Sequence, residues 1–383
     1  MSKLSARRQP SSKPLLLNDV LVNWDPVGGP LSVGAALGGQ KKKVLVSGNS
    51  QIASTILSGI SLSGGYAFQW PADLPSSLAS FACNYFKFDA CAICRGDSVE
   101  ILVNGRAPAP TFMNALGSVD LSSFSWDNSS ERGWFSMSSK PYLDALTDFF
   151  SWAPLHGRSI SLLDEGNSLE SQLTIEFLKR LGADAVSASF ATSDFLGFEG
   201  GRPFRMKDSQ KINPWSAVLG YFGMIKNGVV AISMDAPANF EEEIEEEGGR
   251  AIRLGLELND MSAGNEAFEA GVTSKGDWIF PLIHRWKENV GAMVAFAFAH
   301  NHEFKPLPSF SKEINASKVD VTKLGWPASS GWGWVAFRNE IDGYWATLQL
   351  RGETVVIKVE GNDRSGVKNE LELLEDKIRV TAD

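Results

Sequence analysis

The residue pattern predicts a mainly β protein of two domains, on three observations. The chain has 383 residues, more than one usual domain holds. It carries 23 Phe and 12 Trp beside 36 Gly and 17 Pro, a balance that favours many strands and turns over long helices. Several runs alternate apolar with polar or small residues, as half-buried strands do. At 43% hydrophobic residues the composition excludes wholesale disorder.

Taken in order, residues 1–43 read as a flexible arm, opened by Pro10 and Pro14 and punctuated by Gly28-Gly29-Pro30 and Gly38-Gly39. Lys43 to Ser47 and Thr55 to Leu62 are predicted strands, the second ending at Gly64-Gly65. Residues 74–82 repeat their apolar positions at helical spacing and lead into Tyr85-Phe86-Lys87-Phe88. Ser98 to Val103 and Gly117 to Ser122 alternate as strands, and between them Pro108 and Pro110 remove ladder donors. Beyond these, residues 141–150 and 169–181 suit short helices, the second stopped by Gly182, while 158–163 and 185–192 suit strands. Gly228 to Met234 and Arg250 to Leu258 read as strands on either side of an acidic loop. Residues 261–276 are small and polar and read as a linker. A smaller C-terminal β domain over 277–383 follows from apolar runs at 278–280, 291–299 and 332–359, the last with a hairpin turn at Arg351-Gly352-Glu353.

Net charge is −9, and its distribution is uneven. Residues 1–43 hold Lys3, Arg7, Arg8, Lys13, Lys41, Lys42 and Lys43 against Asp19 and Asp25. Such an arm ahead of an acidic body either promotes solubility or meets phosphate. Cys91-Ala92-Ile93-Cys94 lacks the second pair that a zinc site needs, and residues three apart on a strand face opposite sides. With Cys83 they read as buried thiols in a reducing compartment. No apolar core follows the basic start, and no run reaches the length of a membrane span, so a soluble intracellular chain is expected.

Three features of this layout resemble a known family. A Pro-started helix runs into Tyr85-x-x-Phe88, a long strand and Pro/Thr loop follow, and Gly117-Ser118-Val119-Asp120-Leu121 stands with an Asp close behind. At the far end, the Gly228 strand and the alternating strand that ends in Leu256-Glu257-Leu258 close the same pattern. The chain thereby resembles the coat (capsid) proteins of small icosahedral positive-strand RNA viruses, of the tombusvirus and nodavirus type. The resemblance implies a jelly-roll β-sandwich shell domain over 44–260, with a short helix, and a C-terminal domain that projects from the shell. It also implies self-assembly into a virion in the host cytoplasm, and an RNA genome held by Lys3, Arg7, Arg8, Lys13, Lys41, Lys42 and Lys43. Calcium between subunits and a host receptor for the projecting domain are further implications. For the run at residues 241–247, a solvated acidic loop is the alternative to a Ca2+ cluster.

Motifs that carry chemistry are few in the sequence. There is no nucleophile elbow, phosphate-binding P-loop or zincin motif, so no enzyme is expected. His300-Asn301-His302 places two ring ligands on one strand face with no third to complete a metal site. Arg95-Gly96-Asp97 reads as a turn before Ser98. Trp332, Trp334 and Trp345 are either a small domain's core or a platform for sugars and bases, which keeps a two-domain carbohydrate-binding module as the alternative function.

Overall fold

The computed structural model describes residues 13–17, 20–24, 28–39, 41–108, 112, 116, 132–153, 155–164, 168–190, 192–225, 228–263, 266–299, 303–331 and 334–379. Two compact units divide at Ser138 and Ser139.

The first unit carries β1 (Lys13–Leu17), β2 (Val20–Trp24), α1 (Gly28–Gly38), β3 (Lys43–Ser47), α2 (Gln51–Leu62), β4 (Tyr66–Trp70), α3 (Ser76–Phe86), β5 (Ala90–Arg95), β6 (Ser98–Val103) and β7 (Arg132–Trp134). Its seven-stranded sheet has the order β2-β1-β6-β5-β3-β4-β7. β3 is parallel to both β4 and β5, and β5 turns back antiparallel into β6. Val44, Leu45 and Val46 are fully buried, as in a parallel strand covered on both faces. The span 55–62, expected as a strand, is helical. Ser50 caps it by accepting a hydrogen bond from the Ala53 N–H, and Ile56, Leu57 and Ile60 face the core. Its small residues, which read as strand and turn in the sequence, form a close helix contact: a Cβ on Gly59 would stand 2.2 Å from the Leu31 carbonyl of α1.

The second unit holds three further sheets. The first has β8 (Ser159–Leu163), β9 (Asp184–Ala188), β10 (Asp194–Glu199), β11 (Arg202–Lys207) and β12 (Gln210–Lys211), in the order β12-β11-β10-β8-β9, with helices α4 (Lys140–Phe149) and α5 (Leu169–Arg180). The next has β13 (Val229–Ile232), β14 (Arg250–Arg253), β15 (Ala270–Val272), β16 (Trp278–Phe280) and β17 (His284–Lys287), in the order β14-β13-β15-β16-β17. Its helices are α6 (Pro214–Ile225), α7 (Phe240–Glu246) and α8 (Leu258–Ala263). α9 (Asn289–Phe298) follows β17, and every residue in it is buried. The last sheet is antiparallel, β18 (Ser309–Asn315), β19 (Ala328–Gly331), β20 (Trp334–Ile341), β21 (Tyr344–Arg351) and β22 (Thr354–Glu360), and α10 (Arg364–Ile378) packs on it.

One plan recurs three times. In the β3, β8 and β13 sheets, the first strand lies between its two parallel successors, and the third strand then turns back antiparallel. Placing the first strand centrally makes a topological switch point at the carboxyl ends, where open α/β sheets bind ligands. This architecture corrects the mainly β jelly-roll expectation: the fold is mixed α/β with parallel-containing sheets. Continuous apolar strands and Ala/Gly-rich helices such as α9 look alike in sequence, since an apolar run has no periodicity to separate them. The expected flexible arm contains β1, β2 and α1, and the expected linker over 261–276 contains β15. The run at 241–247 lies largely within α7 rather than in a loop, with Glu241 paired to Arg253. All three cysteines are buried free thiols, and burial pushes the Cys94 thiol up to about 12.

Candidate functional site

β13 ends at the switch point in Ser233-Met234-Asp235, and β15 ends beside it in Thr273-Ser274-Lys275. The Ser274 N–H donates to Ser233 Oγ at 2.9 Å, and the Ser274 hydroxyl donates to Asp235 at 2.8 Å. Asp277 closes the turn through its own N–H, which donates to the Thr273 hydroxyl, and Gly276 supplies the left-handed backbone at φ +84°. Arg253, at the end of β14, donates to the carbonyls of Ser233, Met234, Ala236 and Pro237 and so holds the loop after β13 in shape.

Both neighbouring sheets are tied to this edge. From the β8 sheet, Arg202 makes a bidentate pair with the buried Asp277 carboxylate, at 3.0 and 3.1 Å. From the antiparallel sheet, Arg338 and Lys358 donate to the carbonyls of Met234 and Asp235, and the Trp334 indole N–H donates to Asp260 at 3.0 Å. Burial lowers Arg338 to about 10, with Arg253 adding to the effect, and a Trp345 ring lies 4.6 Å beneath its guanidinium.

Where the β13 sheet meets the antiparallel sheet, two cations share one carboxylate. Lys275 lies 2.8 Å and Arg351 3.0 Å from Glu257. About a third of each cationic side chain remains exposed, whereas Glu257 is mostly covered. The trio therefore carries a net positive charge directed to an accessible place, which suits a phosphoryl group. A larger cavity of about 540 Å3 opens at the carboxyl ends of β8 and β10, floored by Phe195, Phe198 and Phe204. Among the described residues its one cation, Lys211, is paired with Glu199 while Asp164 adds a further negative charge, so these residues do not favour an anion.

Of the residues expected to touch RNA, Lys41, Lys42 and Lys43 are exposed at the start of β3, where the Lys43 N–H donates to Asp89 at 2.7 Å. Lys13 begins β1; Lys3, Arg7 and Arg8 lie outside the described residues, as do 117–122, His300, His302 and Trp332. Lys275, Arg351 and Glu257 belong to no sequence motif that marks them as a site. The one local signal is a Thr-Ser-Lys-Gly-Asp loop directly after a short apolar run, which overlaps the small, polar stretch expected as a linker.

The described architecture is thus three sheets of one parallel plan, followed by an antiparallel sheet with a helix on it. No family model matches the sequence, and no curated protein matches it. The likeness is in solved structures, and at these identities it establishes the fold. A phosphoglucomutase/phosphomannomutase family protein from Burkholderia thailandensis superposes with a TM-score of 0.67 at 12% identity, over 91% of this chain and 92% of that one. A candidate phosphomannomutase from Thermus thermophilus gives 0.61 at 12% identity, over 91% and 93%. The N-acetylphosphoglucosamine mutase of Aspergillus fumigatus, in complex with GlcNAc-6P and magnesium, gives 0.50 at 10% identity, over 92% and 97%.

These structures overturn the coat-protein reading. With it go the icosahedral shell, the RNA genome as partner, the host receptor and the virion location. The carbohydrate-binding module and the expectation of no enzyme fall too, because the structures that share this fold are named as mutases. Among the described residues no helix is long and apolar enough to cross a membrane. Among the described residues no group of three His, Cys, Asp or Glu is placed to hold a metal ion. At this edge Asp235, Glu257 and Asp277 are each engaged by a hydroxyl or a cation.

Proposed function

We propose that this chain is a sugar-phosphate enzyme of the phosphohexomutase type, and that Lys275 and Arg351 receive the phosphoryl group of a phosphorylated hexose. The observation that carries the reading is the sharing of Glu257 by two partly exposed cations where the β13 sheet meets the antiparallel sheet. Moving a phosphoryl group between two sugar hydroxyls breaks one P–O bond and makes another, and positive groups stabilise the charge spread over the equatorial oxygens. The Ser274 hydroxyl and the Asp235 carboxylate beside them supply polar groups of both senses for sugar hydroxyls.

The test is to incubate the full chain with the 1-phosphates and 6-phosphates of glucose, mannose and N-acetylglucosamine, and to follow each phosphorus resonance by NMR. Interconversion within at least one pair is the expected result. Lys275→Ala and Arg351→Ala should each weaken substrate binding about tenfold or more, the loss of one charge-assisted hydrogen bond. Failure to bind or convert any of the six compounds would overturn the proposal.

A further inference from the structure

The opposite, amino-terminal edge of the β8 sheet holds a second cluster of positive charge. Arg158 stands just before β8, and Arg205 lies on β11 opposite Leu196 of β10. Both reach the carboxyl end of α9: Arg158 Nη1 donates to the Ala297 carbonyl at 2.8 Å, and Arg205 Nη1 donates to those of Phe296 and Ala297 at 3.1 and 3.3 Å. Sharing one carbonyl sets the two guanidiniums side by side. They border a cavity of about 230 Å3 to which Ser159, Ser161 and the Asp194 carboxylate also contribute.

The charges there do not cancel. Arg205 is neutralised by a bidentate pair with Asp194, at 2.8 and 2.6 Å. Arg158 has no carboxylate partner among the described residues; besides the Ala297 carbonyl it has the Phe298 ring, 4.6 Å from its guanidinium. The carbonyl end of a helix carries about half a negative charge, so an excess of positive charge remains. Burial, and next the neighbouring Arg205, lower the Arg158 pKa, which is the mark of a cation lacking a counter-ion.

The geometry points to a binding site for a phosphate-class anion between Arg158 and Arg205, with the hydroxyls of Ser159 and Ser161 completing its contacts. The site is independent of the sugar-phosphate reading, since it shares no residue with the Lys275–Arg351 edge. The cavity is large enough for a phosphate ion or for the phosphoryl end of a small ester, two sources of the same chemistry.

The full chain is titrated calorimetrically at constant ionic strength with inorganic phosphate and, separately, with glycerol 3-phosphate. This is done for the wild type, for Arg158→Gln and for Lys275→Ala. Binding that survives Lys275→Ala and weakens about tenfold or more in Arg158→Gln is the expected result. A preference for the ion or the ester then identifies the source. Should Arg158→Gln fold poorly, Ser161→Asp places a negative charge in the cavity and should abolish the same binding. Titrations unchanged by substitution at Arg158, or at Ser161 where that variant stands in, would overturn the inference, as would the absence of any binding that survives Lys275→Ala.

Discussion

Asp260 shows how one residue can bind the tertiary structure to pH. Its Oδ2 accepts from the N–H groups of Leu256 and Glu257 and from the Trp334 indole, yet burial outweighs these donors and raises its pKa to about 6. The folded chain thus holds this proton more tightly than the unfolded chain, whose value is near 3.8. The contribution of Asp260 to stability is therefore fully present below about pH 3.8 and is lost as pH rises through about 6. A shift of this size corresponds to about 3 kcal/mol. Asp260→Asn removes the titration, so urea midpoints of wild type and variant should diverge between about pH 4 and 6.5, with the wild type losing ground as pH rises. Parallel midpoints across that range would show that the group does not titrate there. A second test at this scale is Tyr142→Phe. The tyrosine hydroxyl donates to the fully buried Glu288 carboxylate, which also caps α9 and lies 2.6 Å from His284. Loss of that bond should cost about 1.5–3 kcal/mol, read from chemical denaturation.

At the scale of elements, the α1–α2 contact depends on the absence of side chains. Gly59→Ala would drive a Cβ to 2.2 Å from a backbone carbonyl, which no rotamer change can relieve. We expect a loss of about 1–3 kcal/mol despite alanine's better helix propensity. Gly39→Ala, whose Cβ would be 3.9 Å from its nearest neighbour, is the control and should leave the melting temperature near that of the wild type. Equal melting temperatures for the two variants would refute the close-packing account.

At the scale of the whole second unit, the clamp between Arg202 and Asp277 joins the β8 sheet to the β13 sheet. Arg202→Ala leaves a buried carboxylate with Lys287 at 3.8 Å as its remaining ion pair among the described residues. Removing one partner from such a pair typically costs about 3–5 kcal/mol, and the partial exposure of Arg202 brings the expectation down to about 2–3 kcal/mol. Limited proteolysis should then cut the variant in the loops around 200 and 276 faster than the wild type, and unchanged cleavage would argue that the clamp contributes little.

What the sequence by itself determined is local. The helical spacing of residues 74–82 gives α3, Gly352 at φ 57° makes the turn between β21 and β22, and Arg95-Gly96-Asp97 turns into β6. Each is decided by neighbouring residues, through side-chain spacing or a backbone angle that glycine adopts freely. The tertiary structure decided what lies on the other side of each element. Val44-Leu45-Val46 is apolar whether its partners run parallel or antiparallel, and only its pairing with β4 and β5 makes the sheet parallel. The same holds for the candidate site. Arg351 lies far along the chain from Glu257 and Lys275, and their shared charge exists only because the fold brings the edges of two sheets together. Long-range pairing is selected by the burial of whole faces against one another, a sum over the folded chain that no single stretch carries.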